Sequence, residues 1–146
     1  MTHHEDIKKS IEHELHKLTN GTNEEKVIYK ELSFEIIKVC FEVHNILGPG
    51  YSEKIYEEAV SKELRDRGIG YERQKLIEVY YKSEKIGEYR LDIVVENKII
   101  LELKAVSELN DIFEVQLLSY LKATGMKLGI LVNFGGMKVE YKRVVN

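Results

Sequence analysis

The chain has 146 residues, of which 43% are hydrophobic and 32% charged, and its formal net charge is −3. That balance fits one globular domain, excludes a disordered chain, and leaves no strongly basic footprint, so any nucleic-acid contact must be local. The apolar runs fall far short of the ~20 residues of a membrane span and no secretory segment is read, so the expectation is a cytoplasmic protein with no membrane contact.

Ile7, Ile11, Leu15 and Leu18 fall at helical spacing, and Asn20-Gly21 reads as a stop. Residues 1–21 are therefore expected to form an amphipathic helical extension, and residues 22–146 the domain proper. Thr22 and Glu25 form a plausible capping box. Ile28, Leu32, Ile36, Val39, Val43 and Ile46 then repeat in steps of four and three, with a second apolar stripe at Phe34, Ile37 and Phe41. A helix that is apolar on more than one side lies deep or at a subunit interface, which predicts a homodimer. Cys40 falls in this helix. As the single cysteine it excludes a disulfide framework and a CxxC zinc site, and it is expected to be a buried small hydrophobe.

Gly48-Pro49-Gly50 breaks that helix, and a further helix is predicted from Ser52 to Arg67. The period then changes. Ile69–Tyr81, Lys85–Glu96 and Lys98–Lys104 read as strands, Glu108–Thr124 as a helix that stops at Gly125, and Lys127–Phe134 and Met137–Val144 as two final strands. The order predicts a mixed α/β domain with helices packed on one sheet.

The chemistry concentrates in the stretch GEYRLDIVVENKIILELK, Gly87 to Lys104. A three-residue loop, Glu96-Asn97-Lys98, pairs Leu91 with Leu103, Ile93 with Leu101 and Val95 with Ile99 on one dry face. The other face pairs Val94 with Ile100, Asp92 with Glu102 and Arg90 with Lys104. A two-residue loop would split the two acids between faces and mix charge into both. Like charges facing each other across strands destabilise a sheet and call for a compensating cation. A hard divalent ion that uses one or two carboxylates meets that need, and Lys104 lies on the same face. A surface salt-bridge network is the competing reading of these four charges.

Glu53 and Glu57 stand one helical turn apart, so either can add a further carboxylate. Gln116 and Tyr120, also one turn apart, share a stripe with Ile112 in the helix after Lys104. A glutamine on a half-buried stripe needs a hydrogen-bond partner. His44 sits near the end of its helix, where an imidazolium is stabilised, although a role near the site is also open. Arg73, Lys75, Lys82, Lys85 and Arg90 are candidates for a basic track.

Together these residues resemble the PD-(D/E)XK nuclease superfamily: Asp92, nine residues, then Glu102-Leu103-Lys104, with Leu91 in place of the motif's proline. Gln116-Leu117-Leu118-Ser119-Tyr120 is similar to the QxxxY motif of the branch that contains RecB-type exonuclease domains and lambda exonuclease. Gly50-Tyr51-Ser52-Glu53-Lys54-Ile55-Tyr56 is similar to the signature of the small bacterial and archaeal GxxExxY family, and the likeness runs from about Glu24 to Val144.

The resemblance implies a restriction-endonuclease-like α/β core, with a mixed central sheet of about five strands. It implies a metal-dependent phosphodiesterase, a DNA nuclease in the first instance, using Mg²⁺ or Mn²⁺. Asp92, Glu102 and the Leu103 carbonyl would bind the ion, joined by Glu53, which the signature favours over Glu57. Lys104 would assist attack, Gln116 would orient Lys104 or the phosphate, and Tyr120 would support Gln116. Glu57, His44 and Arg90 are accessory candidates. The alternatives are a catalytically silent nuclease-fold module that binds nucleic acid or serves assembly, and a hydrolase of a small phosphoester.

Overall fold

The structure, a computed structural model, describes Lys9 and residues 28–146. The expected helical extension over residues 1–21 and the Thr22–Glu25 capping pair lie outside the described residues.

Helix α1 runs Lys30–Leu47 and α2 Glu53–Asp66; strands β1 (Tyr71–Tyr81), β2 (Glu84–Val95) and β3 (Ile99–Lys104) follow, then α3 (Asp111–Thr124), β4 (Leu128–Asn133) and β5 (Glu140–Val145). The five strands form one sheet in chain order. Every neighbouring pair is antiparallel except β3 and β4, which are parallel. Parallel neighbours need a crossover connection, and α3 supplies it. The predicted α/β class and mixed five-stranded sheet are therefore what the chain forms.

The sheet is covered on both faces. On one, Ile36, Val39, Val60 and Leu64 of α1 and α2 pack with Ile93, Leu101, Leu103 and Ile130. On the other, Leu117, Tyr120 and Leu121 of α3 pack with Val94, Ile100 and Leu131. Strands β3 and β4 are thus buried on both sides, which is why their sequences run nearly continuously aliphatic instead of alternating. Cys40 is buried in the first of these layers, as expected, and burial pushes its thiol up to about 12.

Two turns position the helices. The Tyr56 hydroxyl donates to the Gly48 carbonyl at 2.5 Å and accepts the Tyr51 N–H at 3.3 Å, and its fully buried ring stacks on Phe134 at 4.6 Å. This side chain therefore fixes the break between α1 and α2. At the start of α3 the Asn110 side chain accepts the Ile112 N–H, and Gly125 ends the helix in the left-handed region at φ 73°.

The β2–β3 hairpin has the register expected from its odd loop: Ile93 faces Leu101, Val94 faces Ile100 and Val95 faces Ile99. The expected dry face does not continue to Leu91 and Leu103, however. Leu103 lies in the α1–α2 layer and Leu91 in the α3 layer. The reason is a change of phase in both strands of the β1–β2 pair. Arg73 and Gln74 are consecutive, yet both side chains bond to α2. A regular strand would send them to opposite faces. Gln74 has φ 51°, in the left-handed region, and it and Asp92 are missing from a register that pairs Arg73 with Ile93 and Lys75 with Leu91, and that shifts a second time between Val79 and Tyr80. On β2, Asp92 and Ile93 likewise turn toward the α1–α2 side.

Candidate metal centre

The β2–β3 ladder ends at Ile93 and Leu101, and the two acids occupy the next level. Asp92 Oδ2 accepts the Leu103 N–H at 2.8 Å, and Glu102 Oε1 accepts the Asp92 N–H at 3.1 Å. Each carboxyl group thus caps the backbone of the opposite strand, replacing ladder hydrogen bonds where the strands part.

Their electrostatics follow from burial. Glu102 is 8% exposed, and burial, reinforced by the adjacent Asp92 charge, pushes it up to about 9. Burial raises Asp92 too, against the lowering effect of the Leu103 N–H. Lys104 offsets little of this. Its ammonium makes no ion pair among the described residues and lies 4.6 Å from the centroid of the Phe113 ring. The buried Glu102 and the half-buried Asp92, on adjacent strands, have no bonded cation among the described residues.

Asp92 and Leu103 open onto a groove of about 660 Å³ whose other walls are Ser52, Glu53, Lys54 and Glu57 of α2 and its cap, and Arg73 and Gln74 of β1. Both α2 acids therefore reach the groove, but differently. Glu53 is exposed at its rim, whereas Glu57 is 7% exposed and bonded to both β1 residues. Arg73 Nη2 donates to Glu57 at 2.8 Å and Gln74 Nε2 to Glu57 at 2.5 Å, and Arg73 also bonds Glu58. These carboxylates raise the Arg73 guanidinium above its ordinary range.

On the α3 side, Tyr120 is buried, and that burial raises its phenol to about 12, with the Glu102 charge the next contribution. It therefore stands within electrostatic reach of the pair, with the half-exposed Tyr89 ring 5.1 Å away. The expected half-buried stripe is not present: Ile112 and Gln116 are exposed, and Gln116 makes no hydrogen bond among the described residues. Helix α3 seats through Leu117, Tyr120 and Leu121, which turns the Ile112–Gln116 side to solvent. His44 lies elsewhere, its Nε2 2.9 Å from the Gly136 carbonyl, where it ties α1 to the β4–β5 turn. Arg90 is exposed and donates to the Gln74 carbonyl at 3.4 Å.

The basic-track candidates are largely committed to acids. Arg73 holds Glu57 and Glu58, Lys75 approaches Glu72, and Lys85 bridges Glu78 and Glu88.

Two positions carry more than their sequence context suggested. Gln74 carries no local signal, because strand alternation places it away from Arg73. Asn133 does carry one, as a polar residue closing an aliphatic strand before Gly135-Gly136. It is fully buried, accepts the Val106 and Gly135 N–H groups and donates to the Val106 carbonyl, pinning the loop that leaves Lys104.

Among the described residues no group of three or more His, Cys, Asp or Glu side chains stands ready to hold an ion. The fit of a divalent cation rests on the donor pair. A buried and a half-buried carboxyl group without a bonded cation among the described residues suit Mg²⁺, which keeps several waters and binds through one or two carboxylates plus substrate phosphate.

Comparison with known proteins bears on this arrangement. Residues 30–144 match the PD-(D/E)XK nuclease superfamily. A comparison with curated proteins found no match. Among solved structures, the chain is similar to the crystal structure of SSO0001, with a TM-score of 0.53 and 17% identity over 96% of this chain and 77% of that one. That likeness is one of fold.

Proposed function

The chain belongs to the PD-(D/E)XK nuclease superfamily, and from that premise we propose that it is a divalent-metal-dependent phosphodiesterase that cleaves DNA. The observation that carries this reading is the pair of a buried Glu102 and a half-buried Asp92 on adjacent strands, with no bonded cation among the described residues.

Asp92 and Glu102 would hold the ion, Mg²⁺ or Mn²⁺, together with the Leu103 carbonyl, and an α2 carboxylate would face it across the groove. Once bound there, such an ion lowers the pKa of water and neutralises charge building on the phosphate. Lys104, two residues beyond Glu102 on the same face, brings its ammonium toward the attacking water and the phosphate oxygens. That ammonium rests on the Phe113 ring and is bound to no carboxylate among the described residues. Tyr120 forms the wall behind Glu102. The exposed Gln116 amide is free to take a phosphate oxygen. The QxxxY and GxxExxY likenesses of Gln116–Tyr120 and Gly50–Tyr56 agree with this assignment. Arg90, beside Gln74, is placed to meet flanking phosphates.

A second reading, a nuclease-fold module that binds nucleic acid without cleaving it, draws on the absence of a ready third ligand among the described residues. The test is cleavage of single-stranded, duplex and nicked DNA, with RNA and a small phosphodiester as comparisons, in Mg²⁺ or Mn²⁺ against EDTA. Metal-dependent DNA cleavage that falls by about 100-fold or more in Asp92→Asn and Glu102→Gln supports the proposal. Cleavage unchanged in both variants overturns the site. Metal uptake and DNA binding with no cleavage of any substrate favours the silent module. A homodimer is part of the same proposal, and a monomer mass by light scattering at high micromolar concentration would remove it.

A further inference from the structure

The kink at Gln74 and the Arg73 clamp serve no obvious packing purpose. Gln74 is exposed, and a non-glycine residue at φ 51° inside a strand is uncommon. Such strain persists where the surrounding structure imposes it, and it gathers at functional sites. Here its consequence is specific. The phase change puts Arg73 and Gln74 on the same side, so that both reach Glu57. At the facing position of β2 it puts Asp92 on that side too, into the groove that Glu57 lines. The Glu57 charge is felt at Asp92.

We propose that Arg73 and Gln74 are positioning residues that hold the Glu57 carboxylate against the groove as the α2-side partner of the ion, in preference to Glu53. This rests on the reading of Asp92 and Glu102 as metal ligands. The bonds are directional. Arg73 Nε and Nη2 both point at Glu57 Oε2, at 3.3 and 2.8 Å, and Gln74 Nε2 takes Oε1. Glu57 is thereby fixed at both oxygens, while Glu53, a turn earlier on the same helix, is exposed and makes no hydrogen bond among the described residues. Hydrogen-bond partners of this kind orient a ligating carboxylate, and their loss costs about 10–100-fold in metal affinity.

The test is Mn²⁺ binding by calorimetry on the full chain, paired with thermal unfolding in EDTA. Gln74→Gly separates the two roles of the residue, since glycine accepts φ 51° without strain but lacks the amide. The expected result is Mn²⁺ affinity about tenfold weaker with a melting temperature equal to or above that of the wild type. Arg73→Lys, which keeps the charge and loses the fork, is expected to weaken Mn²⁺ binding similarly. Glu58→Gln, which removes only the exposed partner of Arg73, is expected to stay within about twofold. Mn²⁺ affinity unchanged in both Gln74→Gly and Arg73→Lys overturns the inference, as does a loss in Glu58→Gln equal to theirs. Failure of the underlying site is distinguishable: Mn²⁺ binding that survives Asp92→Asn and Glu102→Gln, or wild-type protein that takes up no Mn²⁺, overturns that reading and this one with it.

Discussion

Asp92 and Glu102 are linked through the backbone: the Asp92 N–H donates to Glu102 Oε1 at 3.1 Å, while the Asp92 carboxylate accepts the N–H one residue beyond Glu102 at 2.8 Å. Each acid is oriented by the strand the other comes from. The two carboxyl groups are therefore oriented by backbone bonds within the strand pair.

The raised Glu102 carboxyl gives stability a pH dependence. Glu102 is held near 9 in the folded chain, above its ordinary value of about 4.3 when unfolded. A raised carboxyl binds its proton more tightly folded than unfolded, so its contribution is fully present below the unfolded value and is lost as pH rises toward 9. In EDTA, stability is expected to fall between about pH 5 and 9, with a slope of at most about 1.4 kcal/mol per pH unit from this group. Glu102→Gln should flatten the dependence. Urea unfolding at pH 5, 7 and 9 checks this, and parallel curves for wild type and variant would contradict it.

Lys104 is expected to act on chemistry without holding the ion. Lys104→Ala should lower cleavage by about 100-fold or more while Mn²⁺ uptake stays close to that of wild type. Calorimetry and a single-turnover assay on one preparation separate the two effects. Metal binding lost together with cleavage would give Lys104 a different role.

Tyr56 is expected to be a structural residue of the turn between α1 and α2. Tyr56→Phe removes the bond to the Gly48 carbonyl and the acceptor for the Tyr51 N–H but keeps the ring on Phe134. A loss of about 1–2 kcal/mol in stability is expected, with metal affinity unchanged. Denaturant melts report the first and calorimetry the second.

Asn133 is expected to matter more for its size. Asn133→Ala would orphan the Val106 and Gly135 N–H groups and the Val106 carbonyl, all bonded to one side chain. Stability should drop by about 3 kcal/mol, since each buried unpaired group costs about 1–3 kcal/mol. Gly135→Ala should be at least as damaging, because a Cβ there would collide with the Val106 carbonyl oxygen. Wild-type melting in either variant would remove the pinning role.

Cys40 should be silent. Burial in the α1–α2 layer pushes its thiol up to about 12, so no thiolate forms near neutral pH. A thiol reagent at pH 8 is expected to react with denatured protein only.

Much of this molecule was already determined by its sequence, because the signals are local. The aliphatic periods of Ile36–Val43 and Leu117–Leu121 placed helices, and the glycine-bounded runs placed strands. The alternation on either side of Asn97 fixed the odd loop and the Ile93–Leu101 register, but not the expected common face of Asp92 and Glu102, because Asp92 turns with Ile93 to the α1–α2 side. What only the tertiary structure decided lies where that alternation fails. No run of residue types announces a left-handed Gln74, so the sequence could not show that Leu91 leaves the layer of Leu103. Nor could it show that Asp92 turns to the α2 side, where Glu57 is buried and Glu53 is exposed. The exposure of Gln116 was likewise set by which side of α3 the sheet accepts. Periodicity reports which residues share a face of one element. Which face meets which neighbour, and where a strand changes phase, depends on bonds between residues far apart in the chain, such as those from Arg73 and Gln74 to Glu57.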